Sequence, residues 1–213
     1  MRFPCLLILA SPLLALAETE SEHRIEHFWR NECATCHAVN GQGIDEIKAP
    51  AIAGLPDYYV MQQIEKFKSG MRGVDPDDKN VSFMHEEATE LDEELFRELA
   101  KLIAGLEPRK TVHSVIGDIE RGNVLYKRHC ETCHGPAAAG NAAKEIPPLY
   151  GFQDWYLVDQ IERFRRGKRK ADPYNVETVK MHAMAKSLWR QRDVNALAAF
   201  IATRLEGETD GEP

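Results

Sequence analysis

With 213 residues and a formal net charge of −7 at pH 7, the chain has room for two small domains, and its negative charge disfavours nucleic acid as a partner. After the first 17 residues, no segment is long and apolar enough to span a bilayer. The composition therefore disfavours an integral membrane protein.

The amino terminus has the pattern of a secretory signal. Met1 and Arg2 precede an uncharged apolar stretch, residues 3–16, and small residues surround a cleavage point after Ala17. About 14 apolar residues are fewer than the roughly 20 that a spanning helix needs. Residues 1–17 are therefore predicted to be a signal peptide that directs export to the periplasm.

Cleavage would remove Cys5 and leave four cysteines in two C-x-x-C pairs, each followed directly by histidine. Disulfides or a zinc site could also use such pairs, but two C-x-x-C-H motifs that take up every remaining cysteine favour covalent haem attachment. Two thiols about one helical turn apart can each add to a vinyl group of one porphyrin, and the adjacent imidazole reaches the iron. The sequence predicts two haem c groups, held by Cys33, Cys36 and His37 and by Cys130, Cys133 and His134.

The chain contains an internal repeat. A shift of 97 residues superposes the two motifs and much of the sequence after each of them, without a gap from Cys33 to Leu91. We expect a first domain over residues 18–110, a second over residues 111–205, and an acidic, disordered tail over residues 206–213.

Each repeat has the same predicted helical order. A helix runs into the cysteine motif, and then come a long loop, a middle helix, a second loop and a closing helix. Asp57 and Asp154 are expected to cap the middle helices, and Gly70 and Gly167 to stand just beyond their ends. Because alternation typical of strands is not evident, the predicted fold class is all-α.

An iron held by one histidine needs a second axial ligand unless its site stays open. Met84 and Met181 are the methionines at equivalent positions of the repeat, each 47 residues after its haem histidine. They are predicted to be the sixth ligands. The adjacent His85 and His182 are the alternative, which would give bis-histidine iron.

These motifs resemble the dihaem cytochrome c4 family, in which two class I cytochrome c domains stand in tandem and each wraps around one haem. The resemblance covers nearly the whole predicted mature chain. It implies that the proximal imidazoles donate hydrogen bonds to two backbone carbonyls, which orients the rings. Besides the cysteine motifs, the residues that carry the resemblance are Pro50, Gly54, Met84, Pro147, Gly151 and Met181.

Iron with histidine and methionine ligands stays six-coordinate in both oxidation states, which suits an electron carrier and opposes catalysis on a bound molecule. We expect a carrier between a quinol-oxidising complex or a dehydrogenase and a membrane terminal oxidase or reductase, with peripheral membrane association compatible with that role. One alternative is the cytochrome subunit of a periplasmic dehydrogenase, such as a flavocytochrome oxidising a sulfur compound. A dihaem peroxidase is the other alternative, and it would need one open iron site.

The repeats differ in charge. Residues 18–110 hold 11 Lys/Arg and 20 Asp/Glu, whereas residues 111–213 hold 15 Lys/Arg and 14 Asp/Glu. The first repeat is therefore acidic and the second is nearly neutral. The two domains are therefore expected to meet different partners. A basic run over residues 163–170 is interpreted either as a solvated helix end or as a docking surface.

Overall fold

The computed structural model describes residues 23–75, 77–110 and 114–204. The predicted signal peptide and acidic tail lie outside these ranges. The described residues form helices joined by loops, and their β pairing is limited to two isolated bridges. This arrangement confirms the predicted all-α fold. No helix in the described ranges combines the length and apolar character needed to cross a membrane.

The first domain begins with a helix that runs into its cysteine motif. Residues 23–28 form α1, which continues through a π-helical turn, Trp29–Cys33, into the short helix α2, Ala34–His37. The remainder of the domain contains three helices, α3 (Asp57–Lys68), α4 (Lys79–Glu90) and α5 (Glu93–Ala104). Helix α3 packs against both α4 and α5.

The second domain repeats this order. Its cysteine motif begins between two helices and continues through the whole of the second, short one. A 3₁₀ turn, Ala142–Lys144, lies in the next loop. Its helices are α6 (Ile119–His129), α7 (Glu131–His134), α8 (Asp154–Arg165), α9 (Val176–Ser187) and α10 (Gln191–Ala202). α10 packs against α6 and α8, and α8 also packs against α9.

The methionine segments are helices, and the prediction of a second loop was wrong. Helix α4 contains Met84 and α9 contains Met181. Asn175 caps α9 by accepting a hydrogen bond from the backbone N–H of Thr178 at 3.1 Å. Ala88 and Ala185 are fully buried near the helix ends, and α4 packs against α3 as α9 packs against α8. Tertiary packing therefore stabilises both methionine segments as helices.

Each middle helix begins at its aspartate, whereas a capping residue would stand one position before the first helical residue. Asp57 and Asp154 are the first helical residues, and neither preceding residue forms a side-chain cap. The prediction that these aspartates are caps was therefore wrong. At the other end, Gly70 and Gly167 stand beyond the helices with φ of 69° and 74°, a conformation that glycine adopts at no steric cost.

Asp154 instead ties the interdomain segment to α8. Its side chain is fully buried and accepts hydrogen bonds from the Ser114 hydroxyl and from the backbone N–H groups of Ser114, Val115 and Trp155. Burial by itself would raise the pKa of this carboxyl, but the hydrogen bonds outweigh burial and lower it. The repeat-equivalent Asp57 is exposed and accepts one described bond, from the Tyr58 N–H at 2.7 Å.

The helix pair α6 and α10 packs closely because one position has no side chain. A Cβ added to Gly122 would lie 2.1 Å from the carbonyl oxygen of Ala196 and 2.6 Å from the Cβ of Phe200. α10 is rich in buried alanine, which lets the two backbones approach. The contact therefore requires small residues on both helices.

We predict that Gly122→Ala destabilises the second domain by about 1–3 kcal/mol, because the added methyl group forces the backbones of α6 and α10 apart. Chemical denaturation followed by circular dichroism measures this loss. Gly105→Ala is the matched control, since its added Cβ has a nearest contact of 3.5 Å. Equal unfolding midpoints for the two variants would contradict the proposed packing constraint.

We predict that Asp154→Asn costs about 1–3 kcal/mol at pH 7, because the amide group replaces an acceptor facing several donors. Asp57→Asn, the equivalent change in the first domain, should cost under about 0.5 kcal/mol. Since the pKa of Asp154 is lowered on folding, its contribution is present above the ordinary carboxyl pKa of about 3.9 and is lost as pH falls through the folded value. The difference between wild type and Asp154→Asn should therefore shrink below about pH 4, as denaturation at several pH values would show. A difference independent of pH would contradict this account.

Candidate haem sites

The cysteines of both motifs are free thiols at helix turns. Cys33 ends the π-helical turn, and Cys130 stands between α6 and α7. Burial is the main cause that raises the pKa of both thiols to about 12. No disulfide joins Cys33 to Cys36 or Cys130 to Cys133, so each pair has both sulfurs available for thioether formation.

The histidine of each motif is buried and fixed by one hydrogen bond. His37 Nδ1 lies 2.8 Å from the carbonyl oxygen of Pro50, and His134 Nδ1 lies 3.0 Å from that of Pro147. Because a carbonyl oxygen can only accept, Nδ1 must carry the proton in both rings. Burial lowers the pKa of both histidines, so the neutral ring keeps the lone pair of Nε2 for a metal.

The loops after the motifs place the two proline carbonyls. In the first domain, Gly43 N–H donates to the His37 carbonyl at 2.9 Å, and a bridge between Ile44 and Ala49 fixes the residue before Pro50. The second domain uses the same contacts, from Gly140 to His134 and between Asn141 and Ile146. In both loops, backbone hydrogen bonds therefore help to position the acceptor for Nδ1.

Each predicted methionine lines the same cavity as its histidine. The first cavity contains Cys36, His37 and Met84 in its wall, and Cys33 lies outside that wall. The second cavity is lined by all four predicted groups of its domain, which are Cys130, Cys133, His134 and Met181.

The two alternative histidines lie outside both cavity walls. The ring of His85 is held outside the first cavity wall, because its Nδ1 contacts the carbonyl oxygen of Phe67. Met184 also lines the second cavity, and sequence reasoning interpreted it as a packing residue because it has no methionine counterpart in the repeat. The assignment of Met84 and Met181 stays a prediction, with Met184 as the residue to compare in the second domain.

The donor groups of both cavities fit haem c. Each domain offers two free thiols, an imidazole with an available Nε2 and a thioether, within largely apolar walls. In the described ranges, no three His, Cys, Asp or Glu side chains are grouped as a bare metal ion would require. The arrangement suits a porphyrin that is attached by sulfur and held axially by nitrogen.

The rims of the two cavities differ in chemistry. Ile47 and Phe83 line the first cavity and are about half exposed, at 47% and 55%. At the repeat-equivalent positions the second domain has the exposed lysines Lys144 and Lys180, and Lys180 lines its cavity. At these two positions a partner would therefore meet apolar side chains on the first domain and lysines on the second, where Lys180 pairs with Glu177 at 3.0 Å.

The basic run over residues 163–170 is largely used for contacts within the chain. Arg163 pairs with Asp78, and Lys168 pairs with Asp75 at 2.7 Å, both across the two domains. Arg165 and Arg166 pair with Glu162 on their own helix. Four of its six charges are therefore already paired within the chain, and its interpretation as a docking surface stays a prediction.

Comparison with known proteins identifies related sequences. The model of a family described as Cytochrome c matches twice, over residues 25–107 and 119–204. A protein named thiosulfate dehydrogenase electron acceptor, from Stutzerimonas stutzeri strain A1501, is 30% identical over 189 residues, which covers 83% of this chain and 81% of that protein. A protein of the same name from Thiomonas intermedia strain K12 is 27% identical over 186 residues, which covers 81% of this chain and 78% of that protein.

Solved structures with the same fold include two kinds of protein. A thiosulfate dehydrogenase, TsdBA from Marichromatium purpuratum, matches with a TM-score of 0.67 and 30% identity over 81% of this chain, which spans only 36% of that protein. Reduced cytochrome c4 from Pseudomonas stutzeri matches with a TM-score of 0.66 and 22% identity, covering 84% of this chain and 96% of its own. The second likeness shows the fold, and it confirms the tandem architecture that the resemblance implied.

We predict that Met84→His and Met181→His each lower the reduction potential of one haem, because an imidazole favours ferrous iron less than a thioether does. Each variant should also lose about half of the near-infrared charge-transfer band of methionine-ligated ferric haem. Redox titration and absorption spectra measure both effects. Met61→Leu and Met184→Leu are the controls and should leave the band unchanged. Loss of half the band in Met184→Leu would transfer the ligand assignment of the second domain to Met184.

Proposed function

This chain belongs to the cytochrome c family, with two tandem domains, and from that premise we propose that it accepts electrons from a dehydrogenase that oxidises a sulfur compound such as thiosulfate. It is an electron-transfer protein, since its relatives are named as an electron acceptor and as cytochrome c4. Our proposal concerns which proteins donate electrons to this chain and accept electrons from it.

The observation that carries the proposal is the pairing of a fixed imidazole and a methionine in each cavity. The bonds from His37 and His134 to their proline carbonyls keep Nε2 directed to one side. Haem bound there would supply an iron that alternates between the ferrous and ferric states. Met84 and Met181 line the same cavities, which supports the proposal that they would hold the haem together with the histidines. Little rearrangement then accompanies electron gain or loss.

The names of the relatives support the choice of donor. Two curated proteins that this chain covers over most of their length are named for accepting electrons from thiosulfate dehydrogenase. We therefore propose a donor of that class, and a membrane terminal oxidase or reductase as the acceptor. The apolar rim of the first domain and the lysine rim of the second would give the two partners different docking surfaces.

The proposed location is the periplasm, and it rests on the amino-terminal pattern of residues 1–17. Electrons from an exported dehydrogenase would then reach the chain without crossing a membrane.

A second candidate is a permanent subunit of such a dehydrogenase. The match to TsdBA favours it, because this chain corresponds to about a third of that longer protein. In that case the chain would pass electrons inside one complex, and it would co-purify with its dehydrogenase.

We expect the ferric protein to be reduced at both haems when a thiosulfate dehydrogenase and thiosulfate are added together. Stopped-flow absorbance of ferrous haem c measures the rate, and omission of either the enzyme or thiosulfate should abolish reduction. Failure of the complete mixture, together with rapid reduction by a quinol-oxidising complex, would assign a different donor.

Matched substitutions on α9 test whether the lysine at the rim of the second cavity contributes to docking. Lys180→Glu alters the rim of the second cavity, whereas Lys186→Glu makes the same charge change at an exposed site outside the cavity wall. Lys180→Glu should slow the reaction with an acidic partner by about tenfold at low ionic strength, and added salt should reduce the difference. Equal rates for the two variants with both donor and acceptor would exclude this rim as a docking surface.

A further inference from the structure

The histidine that follows each predicted methionine ligand lies outside the haem cavities. Neighbouring side chains of an α-helix point about 100° apart, so a helix that places Met84 on the wall of the first cavity directs His85 away from it. His85 and His182 occupy equivalent positions of the repeat, and both are partly buried. Their surroundings in the two domains differ.

His85 ties α4 to the carboxyl end of α3. Phe67 is the next-to-last residue of α3, so its carbonyl is one of the four that a helix leaves without an intrahelical donor. That oxygen accepts hydrogen bonds from the Gly70 N–H at 3.1 Å and from Nδ1 of His85. Because a carbonyl oxygen can only accept, Nδ1 carries the proton. One imidazole therefore joins the helix that contains Met84 to a helix that lines the same cavity.

The second domain lacks this tie. The carbonyl of Phe164 accepts the same turn bond, from the Gly167 N–H at 3.2 Å, but Nδ1 of His182 is buried without a hydrogen-bond partner. A buried polar atom without a partner loses its hydration and gains nothing in return. His182 therefore costs stability at the position where His85 contributes it.

Gly73 lets the segment after α3 pass close to His85. Its φ is 84°, and an added Cβ would lie 2.8 Å from the Cβ of His85 and 2.6 Å from the carbonyl oxygen of Val81. The repeat-equivalent residue is Lys170, whose backbone N–H donates to the carbonyl of Met71 in the first domain at 3.2 Å. The segment after α3 is therefore packed on α4, whereas the corresponding segment after α8 is bonded to the other domain.

A further contact between the same helices has a counterpart in each domain. Nζ of Lys68 donates to the Leu91 carbonyl at 2.6 Å, and Nη1 of Arg165 donates to the Leu188 carbonyl at 3.1 Å. Each bond joins the end of a middle helix to the residue after a methionine helix. The imidazole contact, in contrast, is made only in the first domain within the ranges that the structure describes.

We propose that His85 is a positioning residue that holds Met84 on the first iron, and that His182 gives Met181 no such support. When a methionine helix moves away from its middle helix to release the iron, the first domain must also break the bond from His85 to Phe67. The second haem therefore exchanges its methionine for an added ligand more readily than the first. The inference rests on the proposed function only in requiring bound haem with Met84 and Met181 as axial ligands.

Imidazole added to the ferric holoprotein tests this inference, because it binds the iron only where methionine has been released. Loss of the near-infrared band at saturating imidazole, followed by stopped-flow absorbance, should show two phases, the slower one at the first haem. The phase that is absent from Met84→His belongs to that haem. His85→Leu should accelerate it by about fivefold, the effect of one lost hydrogen bond, and leave the other phase unchanged. His85→Asn keeps an N–H donor near the position of Nδ1 and should restore most of the wild-type rate.

His182→Leu is the matched control. Because Nδ1 of His182 has no bond to lose, both phases should stay within about twofold of the wild-type rates. All variants are best made together with Met184→Leu, so that a released Met181 is not replaced by the other thioether of the second cavity.

A second pair of variants carries the test if His85→Leu does not fold. Gly73→Ala forces α4 away from the segment after α3 and should also accelerate the first-haem phase. Gly167→Ala introduces the same change at a similar φ of 74°, but its added Cβ lies 4.0 Å from Cε1 of His182. It should leave both phases unchanged.

The outcomes separate this inference from the proposed function. Intact mass first establishes two haems per chain in each variant. Acceleration at the first haem by His85→Leu or Gly73→Ala, without a matching effect of the controls, supports the inference. Equal effects of His85→Leu and His182→Leu overturn it, as does a wild-type first haem that exchanges no more slowly than the second. A band that survives undiminished in Met84→His also overturns it, because Met84 is then not the ligand. Since no dehydrogenase takes part, a different electron donor would contradict the proposed function and leave this result intact.

Discussion

The hydrogen bond from a buried imidazole to a backbone carbonyl is the interaction on which each half of this molecule depends. Because Nδ1 of His37 and His134 must carry a proton toward Pro50 and Pro147, the other nitrogen of each ring is left with its lone pair. The backbone bonds of the loop between motif and proline help to hold that carbonyl in place. Each of these histidines shares its cavity wall with a methionine of the helix that follows, Met84 of α4 or Met181 of α9.

Much of the local chemistry could be predicted from sequence because the repeat provides an internal control. Spacing within each motif and between the motifs identified the cysteines and histidines, and the helical periods indicated the middle and closing helices. Sequence reasoning failed where contacts between residues distant in the sequence determine the local structure. Helices α4 and α9 pack against α3 and α8 and bury Ala88 and Ala185, and a linear pattern does not reveal these contacts. Asp154 has the same sequence setting as Asp57, yet only the fold brings Ser114 and Val115 onto it.

The domain interface was the least predictable part for the same reason. A run of six basic residues between 163 and 170 is typical of a solvent-exposed surface, but Arg163 and Lys168 meet aspartates of the other domain, and Arg169 is buried. Equivalent positions of the repeat therefore acquire different environments. Ile47 and Phe83 at the rim of the first cavity stand where the second domain has Lys144 and Lys180, so the two repeats share the predicted ligands and differ at the outer surface.

Hydrogen bonds between two arginines and two glutamines at the domain interface also constrain how the two halves can diverge. The side-chain oxygens of Gln63 and Gln160 each accept hydrogen bonds from both Arg72 and Arg169. A substitution at Gln63 therefore changes the surroundings of Arg169 as directly as those of Arg72, and a second substitution in the other half is needed to restore the balance. These four positions should evolve as a correlated set across related chains, whereas the rim positions are free to change one at a time. A duplicated gene can thus specialise two ends of a carrier while its centre remains under joint selection.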